Sequence, residues 1–490
     1  MTTSVRWVVV MAAIMAPVSF ASAQEWSIEG VETGTKPELV LDREGRPHIA
    51  YMTEELEGGV FYALKEDDEW VIDTVAEGYF YGPLDIALDA EDNPHIVYHD
   101  HQDASNDPSQ GDAGYAFKER GRWTVEAIRD QGHDGWDPSV AIGSDGEVYV
   151  SSIDPEQFGS ENGVEWAVRR GDTWFVSQVG SGPVPYEFGT QLEMDDFRQL
   201  HLVFHNGNER FNSGAGSDLY YGTLVDGRWR LEVADDEGDV GKFAALAVGA
   251  DGLPHIAYFE WATSTTGFIK YAHWDGSQWR HERVDELRDI EISFLGARGM
   301  ASIALDAQGL PHIAYSDRRT VRYAVWNGSE WIRQDIATAS TGQILGQLVS
   351  LALDADSRPH IAFYELPERP SSSLGEIFYA VGQRPTAVVG EEKEQGLPLQ
   401  PALRGNFPNP FNASTVLRYE LASGNEIDLA VYNLAGQRMR TLVSERVGAG
   451  SYRVAWDGVD ERGNAAASGL YFARLKVGRL DLIDKMLLLR

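Results

Sequence analysis

The sequence predicts an all-β chain: a ring of seven four-stranded sheets closed by its own N-terminal strand, followed by a small β-sandwich. Three observations carry this. One phrase recurs seven times between Leu39 and Tyr364, and each copy runs on into an aromatic strand and a Trp-anchored strand. The seventh copy lacks its Trp strand, and the N-terminal segment supplies one.

The phrase is a short apolar strand, a tight turn and Pro-His-Ile-Ala-Tyr. It reads LVLDREGRPHIAY at 39–51, DIALDAEDNPHIVY at 85–98 and SLALDADSRPHIAF at 350–363, with relatives at 244–258 and 302–315. Degenerate copies at 140–152 and 192–204 keep the register. His48, His95, Tyr149, His201, His255, His312 and His360 form one column, spaced 47 to 57 residues apart. A period of that size with several strands per unit marks a β-propeller.

Each unit continues into an aromatic strand such as VFYALKE (60–66), a Gly- or Asp-containing hairpin, and a strand anchored by Trp70, Trp123, Trp174, Trp229, Trp279 or Trp331. Four short strands joined mostly by tight turns make one blade. EWSIEGVE at 25–32 matches EWVIDTVAE at 69–77, so Trp26 is the seventh Trp. The expected fold is therefore a seven-bladed propeller whose last blade is closed by the N-terminal strand. Closure removes a sheet edge that would otherwise template aggregation.

Residues 1–23 read as a secretory signal: Arg6, an apolar run from Trp7 to Phe20, and Ala21-Ser22-Ala23 as a cleavage site. No other segment reaches membrane-spanning length. The chain has no Cys, so disulfides contribute nothing in an oxidising destination. The propeller is expected over 24–383, a Pro-, Gly- and Glu-rich linker over 384–402, and an Ig-like β-sandwich over 403–490. Net charge is −35, yet 403–490 holds 12 Lys/Arg against 9 Asp/Glu, so the acidic excess lies wholly before it. That excludes nucleic acid and anionic lipid as natural partners, because phosphate binding needs clustered cations.

The column histidines follow the Asp-containing turn between first and second strands, on the rim away from usual propeller ligand sites. They are expected to bond backbone or the turn carboxylates Asp42, Asp89, Asp306 and Asp354, a structural role analogous to His and Asp in WD-repeat propellers. At the opposite rim, five residues beyond the column position, stand Thr53, Asp100, Asp154, Asn206, Glu260, Asp317 and Glu365. They either cap loop turns or form a polar ring for a polyol or cation. One sector is denser: His99, Asp100 and His101 precede a loop at 103–114, and Asp130, His133, Asp134 and Trp136 follow in the next. Tyr79, Phe80 and Tyr81 precede, and His205 with Asn206 repeats the exit in blade four. Rings, imidazoles and carboxylates on one rim suit carbohydrate. The ligand-binding candidates are thus His99, Asp100, His101, His133, Trp136, Asp154, His205, Glu260, Asp317 and Glu365. His99, His101 and His133 could also hold zinc, though that spacing is non-specific, and no metal or cofactor is assigned.

Two resemblances add expectations. Asn406-Phe407-Pro408-Asn409-Pro410-Phe411-Asn412, Val431 to Gly436, Trp456-Asp457-Gly458, Ser468 to Phe472 and the terminal Lys485-Met486-Leu487-Leu488 resemble the C-terminal sorting domain of type IX secretion cargo. The same pattern occurs in the Ig-like domain of flagellar-hook-capping proteins. Ala413 departs from it, standing where Pro is usual. The resemblance implies export by the type IX machinery to the outer-membrane surface, and says nothing about the propeller's own task. Pro94 to His101 also resembles, with a one-residue shift, the strand exits of ulvan-lyase-like polysaccharide lyases, where a His or Tyr abstracts the uronate α-proton. Those enzymes need a cation at the enolate; Arg318 and Arg319 follow Asp317, but nothing in the sequence places them beside His99. The sialidase Asp-box is absent, with Gly171-Asp172-Thr173-Trp174 as a fragment. The sequence therefore favours a secreted propeller that recognises glycan or protein without catalysis. The alternative is a carbohydrate-active enzyme, a polysaccharide lyase or sialidase-like glycosidase, on the same face.

Overall fold

The structure, a computed structural model, describes residues 26–53, 58–100, 112–128, 135–154, 163–181, 189–206, 217–263, 265–288, 300–368, 375–382, 401–407 and 415–488, except 449, 457, 463 and 479. No helix occurs among them, and none could cross a membrane. Seven antiparallel sheets follow one another, each ordered first strand to fourth. Blade one comprises Thr35–Leu41, Pro47–Thr53, Gly58–Glu66 and Glu69–Gly78, and blades two to six repeat the pattern to Thr338. Blade seven splits its first strand into Gln343–Leu345 and Ser350–Leu353, then adds Pro359–Pro367 and Glu376–Gly382.

Its fourth strand is Trp26–Thr33, which pairs antiparallel with Glu376–Gly382, Trp26 opposite Gly382 and Gly30 opposite Phe378. The ring therefore closes as the repeat arithmetic demands. Gly34 makes the handover to blade one. A Cβ there would stand 2.5 Å from Tyr51 Cδ2 and 2.9 Å from Ile377 Cδ1, so no other residue fits without displacing the seam.

The core lies between blades rather than within them. Ile49 and Tyr51 face one neighbour and His48 and Ala50 the other, all at most 2% exposed, which is why both alternations along the strand are apolar or satisfied. Six of the seven anchoring Trp rings meet a third-strand Tyr of the preceding blade edge-on, with centroids 5.2–5.4 Å apart: Trp26 on Tyr323, Trp70 on Tyr379, Trp123 on Tyr62, Trp174 on Tyr115, Trp279 on Tyr221 and Trp331 on Tyr271. The seventh, Trp229, meets Trp166 at 6.1 Å. Such aromatic pairs add about 0.5–1.5 kcal/mol each beyond area burial.

The C-terminal domain has two sheets, one of Ala402–Phe407, Thr415–Leu421 and Gly450–Trp456, the other of Arg438–Val447, Asn425–Asn433, Gly469–Val477 and Leu480–Leu488. Leu417, Leu429, Trp456, Leu475 and Met486 fill the space between, each fully buried. This is the small Ig-like β-sandwich expected.

Candidate functional site

The disc has two rims. On the first, the turn Asp, the column His and a third-strand Tyr form a hydrogen-bonded row. His48 Nδ1 lies 2.6 Å from Tyr62 Oη and Nε2 lies 3.3 Å from Asp42 Oδ2. The same row joins His201 to Tyr221 and Asp195, and His360 to Tyr379 and Asp354. His95 and His312 stand 3.5 and 3.6 Å from Asp89 and Asp306 and bond Tyr115 and Tyr323. An ionised carboxylate has no proton to give, so Nε2 carries the hydrogen and Nδ1 accepts the phenol proton. Burial lowers the pKa of His48, His95 and His360 despite the adjacent Asp, keeping them neutral. Burial opposes ionisation of Asp42 too, but donors from Arg46 and His48 outweigh it and hold its pKa down. These histidines are structural. Blade three changes the whole row together: Tyr149 takes the column and donates to Glu147, and Trp166 takes the third-strand place.

Around the outside, five of the Trp indoles donate to a carboxylate three residues past the Trp of the preceding blade. Trp70 bonds Glu29, Trp123 bonds Asp73, Trp174 bonds Glu126, Trp279 bonds Glu232 and Trp331 bonds Glu282, at 2.9–3.2 Å. Lys65, Lys118 and Arg169 join the first three pairs. Along the axis a second zipper runs: backbone N–H groups of Leu39, Val140, Leu192, Leu246 and Leu351 donate to Ser350, Asp85, Ser139, Gln191 and Ser302 of the preceding blade. First strands have no ladder partner on that side, so these side chains satisfy their open edges.

All seven first strands line an axial cavity of about 460 Å³. Glu193 faces it at a position where other blades carry Ala or Val. Enclosure by protein, then Asp85 and Asp195, pushes its carboxyl up to about 8.

The opposite rim carries the exits of the second and fourth strands. His99 is fully buried, with its ring 4.9 Å from Trp136 of the next blade. Asp100 ends the strand opposite Asp112 in register, and burial followed by that neighbour raises its pKa. His101 and His133 lie outside the described residues, as do Gln102, the loop to 111, Asp130 and Asp134. Of Asp154 only the strand position, opposite Gly163, is described. His205 is 1% exposed, and burial and then Lys242 hold its pKa at about 3, so it stays neutral. It belongs to the seam between blades four and five, whereas His99 and Trp136 belong to that between two and three.

Four members of the exit column have intramolecular work. Thr53 Oγ1 accepts from Gly59 N at 3.0 Å. Glu260 pairs with Arg283 at 2.8 Å and Lys270 at 3.6 Å. Asp317 accepts from the Arg319 and Thr320 N–H groups and from Arg322 Nη1 at 2.6 Å. Glu365 caps Ser340 N at 2.6 Å. Sequence reasoning missed the Lys242–Asp239–Ser217 cluster and the Asp235–Tyr258–Lys270 cluster beside it. These polar groups occur in one blade pair only, so no period reveals them.

Residues 412–479 match the FlgD Ig-like domain family. No curated protein matches the chain. Among solved structures, a polysaccharide lyase of family PL25, an ulvan lyase bound to -[GlcA(1-4)Rha3S]-, aligns at 13% identity and TM-score 0.51, covering 73% of this chain and 96% of that one. The lectin SapL1 with α-methyl fucoside aligns at 14% identity and TM-score 0.43, over 63% and 98%. PorZ, a surface component of the type IX secretion system of Porphyromonas gingivalis, aligns at 10% and 0.38, over 93% and 70%. At such identities the likeness is one of fold.

Proposed function

We propose that this is a secreted propeller that recognises a glycan or protein ligand, without catalysis, through the rim bearing the second- and fourth-strand exits. The observation that carries the reading is the contrast between rims. One is fixed by a repeated Asp–His–Tyr row, while the other presents exit residues of four types over seven blades and nearly all the long inter-strand segments. Function concentrates on variable loops held by a rigid scaffold. The exit carboxylates Glu260, Asp317 and Glu365 are held in ion pairs and caps, which suits shape-fixing more than proton transfer. The C-terminal domain is proposed as the export address read by type IX secretion machinery, placing the protein at or beyond the outer-membrane surface.

A glycan array probed with the mature chain tests this. Binding of at least one glycan without its turnover is expected; turnover of a uronate or sialoside polymer reverses the ranking. One observation favours that second, enzymatic reading: Asp100 and Asp112 are adjacent and partly buried beside His99 and Trp136, and a carboxyl raised by burial and then by such a neighbour can act as a general acid. Loss of turnover in Asp100→Asn with an unchanged melting curve is its signature.

A further inference from the structure

Two blades depart from the repeat at one position. Asp stands six residues before the column position in blades one, two, four, six and seven, but Gly143 and Gly249 stand there in blades three and five. In both, an Asp two residues later reaches back over the glycine. A Cβ on Gly143 would meet Asp145 Oδ1 at 2.6 Å, and one on Gly249 would meet Asp251 Oδ1 at 2.5 Å. The displaced carboxylate fills the space of the missing side chain and still accepts turn N–H groups, from Glu147 at 3.3 Å and Leu253 at 3.2 Å. The turn backbone itself is unchanged: Gly146 and Gly252, with φ of 79° and 73°, hold the left-handed position that Gly45 and Gly309 hold in other blades.

The shift frees the second oxygen to meet an arginine from outside the blade. Asp145 Oδ2 pairs with Arg198, from the equivalent turn of blade four. Asp251 Oδ2 instead meets Arg418 Nη2 at 3.4 Å, and Arg418 belongs to the strand Thr415–Leu421 of the C-terminal domain. Both groups are largely buried, the Asp251 side chain 5% exposed and that of Arg418 22%. Gly276, at the outer hairpin of the same blade, would place a Cβ 3.6 Å from Arg418 Nη1. The domain's excess of cations also complements the acidic propeller.

We propose that the base of blade five is the docking seat of the C-terminal domain, clasped through Arg418 to Asp251. The domain is thereby carried on the rim opposite the strand-exit loops and leaves that face open. A buried carboxylate needs a cation or strong donors, so a neutral or acidic residue at 418 opens the clasp.

The chain has no Cys, so Gln308→Cys and Ser423→Cys, both exposed, can carry one spin label on each domain of the full-length protein. Pulsed dipolar spectroscopy should give one narrow distance distribution. Arg418→Glu should broaden it several-fold, whereas Arg418→Lys, which keeps the charge, should leave it close to narrow. A broad distribution with Arg418 intact overturns the proposal, as does a narrow one that survives Arg418→Glu.

Discussion

On the base of the disc, six blades repeat one His–Tyr bond and five of them stand an Asp 3.2–3.6 Å behind the His. On the opposite rim the equivalent strand ends carry Thr53, Asp100, Asp154, Asn206, Glu260, Asp317 and Glu365, and Thr53, Glu260, Asp317 and Glu365 each bond differently. The same strands thus serve two purposes. Near the first hairpin every position is over-determined by neighbours on both sides, so one solution recurs. At the exits only the strand end is fixed, and each blade is free to differ. Rigidity at one end is what makes diversity at the other affordable in stability.

That contrast can be broken most severely at the closure. Removing Trp26–Thr33 opens the edge of Glu376–Gly382 and takes Trp26 off Tyr323. Aggregation or oligomers by size exclusion, with loss of a cooperative melt, are expected.

Next comes a paired substitution across the rims. Asp42→Ala leaves the His48 Nε2–H and two turn N–H groups without their acceptor, at about 2–3 kcal/mol. Thr53→Ala on the loop rim should cost about 0.5 kcal/mol or less. Equal losses in denaturant titrations would erase the distinction.

The titrating groups sharpen the account in two opposite directions. His48, His95 and His360 have folded pKa values below the ordinary 6.5, so the unfolded chain takes up their protons first, and stability falls as pH drops below about 6.5. Glu193 is raised from 4.5 to about 8, so it costs stability progressively between those values, and the full cost persists above. Because Glu193 keeps partial contact with solvent, which screens its charge, Glu193→Gln should stabilise by about 1–2 kcal/mol at pH 9, less than the full shift implies, and change little at pH 4.

A modest effect belongs to the outer staples. Glu126→Gln weakens bonds to Trp174 and Arg169 near the surface, and about 0.5–1 kcal/mol is expected.

The ring, its closure and the structural role of the histidines were legible because each rests on a period. His48 follows Asp42 by six residues as His360 follows Asp354, and Trp26 completes a column of seven. The Tyr partners were also written in the sequence, in the recurrent Tyr-Ala of Tyr62-Ala63, Tyr115-Ala116, Tyr271-Ala272, Tyr323-Ala324 and Tyr379-Ala380. So were the staples, as Trp followed three residues on by an acid in Trp70–Asp73 and Trp279–Glu282. What periodicity cannot show is a seam used once. Lys242 beside His205 depends on one pair of blades, Asp112 beside Asp100 on one blade, and Glu193 stands once among alanines and Val40. His99 and Trp136 are brought together as their rim position suggested, whereas His205 proves to lie in a different seam.

The central claim is that the repeated rim builds and the variable rim binds. Hydrogen–deuterium exchange on the mature protein, with and without a glycan chosen from the array, tests it most directly. The account predicts added protection confined to the strand exits and the segments following Thr53, Asp100, Asp154, Asn206 and Glu365. Protection centred on the turns at 42–46, 89–93 or 354–358, with the exits unchanged, would contradict it.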